Sequence, residues 1–160
     1  MPCTETHKRV RKLWTSLALG AAIVASPLAT LKAQVAVVVG SASPVSALTF
    51  DELRRVFEGK SPKVAGVSVV VGFGAAAQDK FCTKVYDATP DNIRKRWAAL
   101  VFQGEVAAMP PVLADDAAIK KFLASNPGAI AIIPSASVDG SMKVIKIDGA
   151  LPADAAYKIK

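Results

Sequence analysis

Three apolar runs rich in β-branched residues stand out along the chain, VAVVVG, VSVVVG and AIAIIP, and Ser68 is the one polar residue among them. Runs of this length and composition are typical of strands that are covered on both faces of a sheet. We therefore expect Val35–Val39, Val67–Val71 and Ala129–Ile133 to lie together in one central sheet. The segment MKVIKIDG, Met142–Gly149, alternates between apolar and charged residues and predicts a half-exposed strand that ends in an Asp-Gly turn.

Amphipathic segments with helix-start signals separate these strands. Thr49 and Glu52 have the spacing of a capping box, and Gly59 is placed to end that helix. A second helix is expected from about Ala77 to Tyr86. The segment TPDNIRKRWAALVFQG predicts a third, capped by Thr89, with Trp97 on its apolar face, and ADDAAIKKFLASNPG predicts a fourth. For the tail YKIK, a short edge strand and a loose end are both left open.

The alternation of strands and helices indicates an α/β domain with a largely parallel sheet flanked by helices. Residues 1–33 are not expected to belong to it. A basic segment, HKRVRKLW, precedes a short apolar run, Ser16–Ala25, and Ala33 is a small residue at a suitable cleavage point. This order predicts a signal peptide at 1–33 and a single domain at 34–160, in the periplasm or secreted. The alternative is an uncleaved membrane anchor, for which the apolar run is short.

Removal of the signal peptide changes the charge and the available chemistry. The whole chain has a net charge of +7 from 20 basic and 13 acidic residues, and residues 34–160 retain 15 and 12 of these, a net charge of +3. The remaining basic residues, among them Lys60 and Arg94–Arg96, form no stripe and are expected at a solvated surface, so we expect no nucleic-acid partner. The only histidine, His7, and one of two cysteines lie in residues 1–33. The domain therefore lacks the residues of a Ser-His or Cys-His nucleophile, a His- or Cys-based zinc site or an internal disulfide.

No other residues indicate catalysis, a metal site or a cofactor. Adjacent carboxylates occur at Asp51-Glu52 and Asp115-Asp116, and both pairs stand at predicted helix starts, where capping accounts for them. Cys82 is expected to be a packed core thiol. We therefore expect that the protein is not an enzyme.

The stretch VVVGFGAAAQDKF, from Val69 to Phe81, contains the candidate binding site. A strand followed by a Gly-x-Gly turn and a helix start is a common anion site, because free backbone N–H groups and the helix dipole point at the bend. The candidate ligand-binding residues are Gly72, Gly74, Ala75, Ala76 and Ala77, acting mainly through their backbone. The alternative for the two glycines is a tight turn that binds nothing.

Several segments together resemble a known family. PVSALTFDELRRVFEGK, VSVVVGFGAAAQDKF, RWAALVFQGEVAAMPP, NPGAIAII and KVIKIDG resemble, in order and spacing, the phosphate-binding proteins of ABC transporters, and more closely their short, single-lobe relatives. The resemblance covers about Val35 to Leu151. It implies one lobe of a periplasmic-binding-protein type II architecture and, for two-lobed members, an oxyanion bound between the lobes.

The same resemblance implies that the binding side chains are depleted. Val71 stands where the full-length family has an arginine, and Ala75 and Ala77 stand where it has serine and threonine. Short relatives often have a serine after the glycine and an arginine three residues later, where this chain has Ala75 and Gln78. The expected function is an exported solute-binding-like protein with a depleted oxyanion loop. Its partners would be phosphate or another small anion and an ABC transporter. The alternative is an envelope protein-interaction module built on the same lobe, and a homo-oligomer is left open.

Overall fold

The computed structural model describes residues 34–160, so the predicted signal peptide lies outside the described residues. Four α-helices occur in this range, together with one 3₁₀ turn at Ser135–Ser137. The helices are α1 Phe50–Phe57, α2 Ala75–Tyr86, α3 Pro90–Phe102 and α4 Asp116–Ser125. The strands are β1 Val35–Gly40, β2 Ala47–Leu48, β3 Lys63–Val64, β4 Val67–Ser68, β5 Val70–Gly74, β6 Val112–Leu113, β7 Ala129–Pro134, β8 Met142–Val144 and β9 Lys146–Ile147.

The central sheet has five strands in the order β6-β5-β7-β1-β8. Strand β5 is parallel to both β6 and β7, whereas β1 is antiparallel to both of its neighbours, β7 and β8. Four strands therefore run in one direction and β1 runs in the other. The predicted α/β class with a largely parallel sheet flanked by helices is confirmed.

The two faces of the sheet explain why its strands read as continuous apolar runs. Side chains alternate between the faces along a strand, so a run without polar positions requires cover on both sides. Helices α1, α2 and α3 contribute to one core and α4 to the other. The three middle strands, β5, β7 and β1, contribute Val35, Val37, Val39, Val71, Phe73, Ile130 and Ile132 to the first core and Ala36, Val38, Ala129, Ala131 and Ile133 to the second.

One predicted strand is wrong in its first half. Val67–Val71 was expected to enter the central sheet as a unit, but Val67–Ser68 pairs with Lys63–Val64 in a separate antiparallel hairpin. Ala65 and Gly66 both have positive φ, 49° and 80°, and form the tight connection that this hairpin needs. The central strand begins only at Val70. The expected strand over Met142–Gly149 is likewise divided, because β8 joins the central sheet and β9 pairs with β2.

The predicted helix ends are largely confirmed. The Thr49 hydroxyl accepts from the Glu52 backbone N–H, and the Glu52 carboxylate accepts from the Thr49 N–H, which completes the capping box. Thr89 caps α3 with Pro90 in the first helical position. The Asp115 carboxylate accepts from the Ala118 N–H and caps α4. Helix α2 begins at Ala75, two residues earlier than expected.

The C-terminal tail is packed against β1. Tyr157 and Ile159 are buried, and the Tyr157 hydroxyl donates to the Val35 carbonyl oxygen at 2.8 Å. Of the two alternatives for this segment, the loose end is therefore wrong, and the ordered tail packs without forming a strand of its own. No helix within residues 34–160 combines the length and apolar character needed to cross a membrane.

Candidate functional site

The candidate anion site lies at the carboxyl end of β5, where the chain passes directly into α2. Strand β5 is flanked by two parallel neighbours, and ligands of open α/β sheets commonly bind beyond the carboxyl ends of such strands. Gly74 is the last strand residue and also the N-cap of α2, with φ −67° and ψ 125°. These are ordinary extended angles, so the bend itself does not require glycine.

Close packing explains the two glycines instead. A Cβ atom at Gly74 would lie 2.4 Å from the carbonyl oxygen of Ile132, and one at Gly72 would lie 2.8 Å from the ring of Phe122. Gly72 is buried inside β5, in register with Ala131 of β7, and is thus two residues before the bend. Both glycines therefore have a packing function that is independent of any ligand.

The first turn of α2 differs from the other three helix starts. Side chains of Thr49, Thr89 and Asp115 cap α1, α3 and α4, whereas no side chain caps α2. The first N–H groups of a helix have no partner within the helix, and the helix dipole makes this end partly positive. The first turn of α2 contains no acidic residue. The bend thus offers backbone donors and a weak positive potential without a competing carboxylate in the first turn of the helix.

The side chains at the bend offer little more. Ala75 and Ala76 are exposed, but Ala77 is only 1% exposed and its methyl group packs in the core with Phe81. Val71, where the expected resemblance would place an arginine, is 5% exposed and belongs to the same core. A long cation at this position would have to be buried among apolar side chains.

Other reactive groups are enclosed. Burial raises the pKa of the Cys82 thiol to about 11, with a further contribution from the charge of Asp79, so this cysteine is a packed core thiol as expected. Burial likewise raises the pKa of Tyr86, whose hydroxyl donates to the Arg54 carbonyl oxygen at 2.9 Å. Among residues 34–160, no cluster of three or more His, Cys, Asp or Glu side chains is arranged to hold a metal ion.

The surface positions expected from the sequence are also confirmed. Lys60 is exposed and pairs with the largely enclosed Glu58 at 2.9 Å, and Arg94 pairs with Asp91 at 2.9 Å, where both side chains are exposed. Surface ion pairs such as these contribute little to stability.

Trp97 is a core residue, as expected. Its side chain is 7% exposed, and its Nε1 donates to the Phe57 carbonyl oxygen at 2.9 Å.

Comparison with known proteins identifies the fold. No protein-family model and no curated protein matches the chain. Among solved structures, it is similar to an ABC-type phosphate transport receptor from Vibrio cholerae, with 24% identity, a TM-score of 0.50, and coverage of 75% of this chain and 48% of that chain. It is also similar to a putative phosphate ABC transporter substrate-binding protein with bound phosphate from Clostridium perfringens, with 20% identity, a TM-score of 0.57, and coverage of 74% and 46%.

These similarities establish a class of fold. The described domain has the architecture of part of a phosphate ABC transporter substrate-binding protein, and the expected resemblance is confirmed at that level. The chain spans about half the length of these two structures.

Proposed function

We propose that this protein is an exported solute-binding-like protein whose anion site is reduced to backbone donors. The observation that supports the proposal best is the uncapped start of α2 at the end of β5, between two parallel strands. A fold shared with a protein that has bound phosphate adds support. The ligand is phosphate or another small anion, held by backbone N–H groups of Gly74, Ala75, Ala76 and Ala77.

The chemistry of the bend predicts weak binding. A hydrogen bond to a charged group contributes about 1.5–3 kcal/mol, so the absence of a guanidinium and two hydroxyls removes several kcal/mol. Binding in the millimolar range, about −4 kcal/mol, or weaker is therefore expected for phosphate. Gly72 lies inside the strand and acts, in this proposal, by allowing close packing behind the bend.

Calorimetric titration of phosphate into the native protein and two variants tests this proposal. The variant Ala75→Ser with Gln78→Arg adds a hydroxyl and a guanidinium at positions that are exposed and half-buried, respectively. The control Thr83→Arg adds the same charge to an exposed position further along α2. We expect at least a tenfold gain in affinity for the double variant and no comparable gain for the control.

Either of two results would contradict the proposal. Native binding at micromolar concentration would show that the bend is not depleted. The second is a double variant that is folded, as judged by circular dichroism, and binds phosphate with unchanged affinity. That result would show that the missing side chains are not what limits binding. In that case the missing half of a two-lobed cleft is the explanation to examine.

Export is the second component of the proposal, and it depends on the order of residues in the segment 1–33. Protein recovered from the envelope fraction of the producing cells is expected to begin near Gln34 when its N-terminus is sequenced. Recovery of a cytosolic protein that still begins at Met1 would refute export. In the periplasm, the protein's partner would be an ABC transporter.

A second candidate function is an envelope protein-interaction module that uses the lobe as a scaffold. It is favoured by the packing of Gly72 and Gly74, because this accounts for the Gly-x-Gly pattern without a ligand. Two results together would support the interaction module over the solute-binding function. Calorimetry would detect no heat of binding for phosphate, sulfate or carboxylates, and the protein would specifically capture one envelope protein.

A further inference from the structure

One cavity of the domain lies beside the first core and apart from the candidate anion site. It has a volume of about 400 Å³ and lies between α1, α3, the beginning of β5 and the loop that precedes β6. Val56, Val71 and Trp97, which form part of its wall, are buried residues of the first core. The anion site is at the other end of β5, beyond Gly74, so the two sites share no residue.

The wall of this cavity is poorly suited to an anion. It contains no lysine, arginine or histidine. The indole N–H of Trp97 donates to the Phe57 carbonyl oxygen at 2.9 Å, so this ring offers the cavity mainly hydrocarbon. The backbone N–H groups of four wall residues also donate to carbonyl oxygens of the protein: Gly59, Val69, Val70 and Glu105. Three more wall residues are prolines, which have no N–H: Pro62, Pro110 and Pro111. A phosphate in this cavity would lose its hydration without gaining a cationic partner.

Glu105 is the only charged residue of the wall. It is exposed at the start of the loop before β6, and no ion pair within residues 34–160 involves it. A carboxylate at the mouth of an apolar cavity favours a cation, because the attraction between opposite charges grows where water is displaced. A cation bound there would not have to displace a lysine or an arginine. The hydroxyl of the half-buried Ser61 is a further polar group of the wall, and it can accept a hydrogen bond from such a ligand.

We propose that this cavity binds small organic cations in which an apolar body carries a protonated amine. The amine lies at Glu105, and the apolar body lies against Trp97 and Val56. The size agrees, since an apolar cavity of about 150 Å³ can hold a benzene molecule. A cavity of about 400 Å³ therefore has room for an aromatic ring with an alkyl chain, and it is within the usual range of ligand sites. The ligand class is opposite in charge to the one proposed for the bend at Gly74.

Calorimetric titration of the purified chain with three matched probes tests the inference. Phenylbutylamine, phenylbutanol and phenylbutyrate share one apolar body and are positive, neutral and negative, respectively, at neutral pH. We expect the amine to bind with a dissociation constant on the order of 1 mM or below. The alcohol should bind about fivefold more weakly than the amine, and the acid roughly tenfold more weakly or worse. The preference for the amine should decrease as the salt concentration rises.

Variants of Glu105 locate the site. Glu105→Gln keeps the shape of the side chain and removes its charge, so the amine should bind about fivefold more weakly while the affinity for the alcohol is unchanged. Glu105→Lys should reverse the order and make phenylbutyrate the best of the three probes. The control Asp116→Asn removes one negative charge from an exposed position of α4, which packs on the other face of the sheet, and should leave all three affinities unchanged.

Three results would overturn the proposal. The native chain could bind none of the probes, the alcohol or the acid could bind as well as the amine, or Glu105→Gln could change the affinities no more than Asp116→Asn does. Sedimentation equilibrium distinguishes a cavity that a second copy of the chain covers, because the native chain would then be dimeric and would bind no probe. The phosphate affinity should be the same in Glu105→Gln as in the native protein, so the outcome is independent of the proposed solute-binding function.

Discussion

The packing of Gly74 gives a quantitative prediction for Gly74→Ala. The new Cβ would lie 2.4 Å from the Ile132 carbonyl oxygen, whereas close C–H···O contacts in sheets are about 3.3–3.6 Å. Strand β7 cannot move aside easily, because β5 and β1 hold it on both edges. Overpacking typically costs about 1–3 kcal/mol, and a clash with fixed backbone belongs at the upper end, so we expect a loss of about 3 kcal/mol.

Urea denaturation in phosphate-free buffer measures this loss as a lower transition midpoint with an unchanged slope. Gly140→Ala is the matched control, because no atom lies within 4 Å of its would-be Cβ and its φ is not in the left-handed region. We expect a change within about 0.5 kcal/mol for that variant. If Gly74→Ala is as stable as Gly140→Ala, the close approach of β5 to β7 is absent and the packing explanation of this glycine is wrong.

Three further predictions concern other parts of the domain. Trp97→Ala should lower the free energy of unfolding by about 3–5 kcal/mol. Trp97→Phe keeps an aromatic ring and loses the 2.9 Å bond to the Phe57 carbonyl oxygen, so it should lower the free energy of unfolding by a smaller amount. An unchanged urea midpoint would place this side chain at the surface. The pKa of Asp139 is lowered to about 2, mainly by the hydrogen bond from Lys120 and then by those from Ser141. Its stabilising contribution is therefore present above about pH 4 and is lost as the pH falls towards 2. Asp139→Asn should reduce this acid dependence of thermal unfolding, and a pH profile identical to that of the native protein would contradict the prediction. Cys82 should resist a thiol reagent at pH 8 until denaturant is added, and rapid labelling of the native protein would show that the thiol is accessible.

Local features of the fold could be predicted from the sequence because their causes are local. The Thr49 and Glu52 capping box depends on two side chains three residues apart, and the Asp148-Gly149 turn depends on positive φ at both residues, 50° and 82°. The assignment of Val67 to the central sheet failed because an apolar run looks the same in a hairpin and in a core strand. In the folded chain, the short Ala65-Gly66 turn pairs Val67–Ser68 with Lys63–Val64 and so keeps these residues out of the central sheet.

The candidate site was harder to predict, because its properties depend on residues distant in the chain. The need for glycine at 74 comes from the Ile132 carbonyl, which no local pattern reveals. The burial of Ala77 could have been anticipated, since Ala77, Phe81 and Val85 follow the helical spacing of one buried face. The cavity beside Trp97 brings together residues from α1, β5 and the loop before β6, and it therefore appears only in the folded chain.

Strand β1 depends on neighbours from far along the chain. Its two partners are β7 and β8, and the Tyr157 hydroxyl that holds its first residue comes from a position 122 residues later. Contacts of such long sequence separation are costly in chain entropy and slow to form. We therefore expect the chain to remain without its complete central sheet until the last third of the domain has been synthesised. If the protein is exported as proposed, this delay would keep the chain unfolded while it passes through a secretion channel.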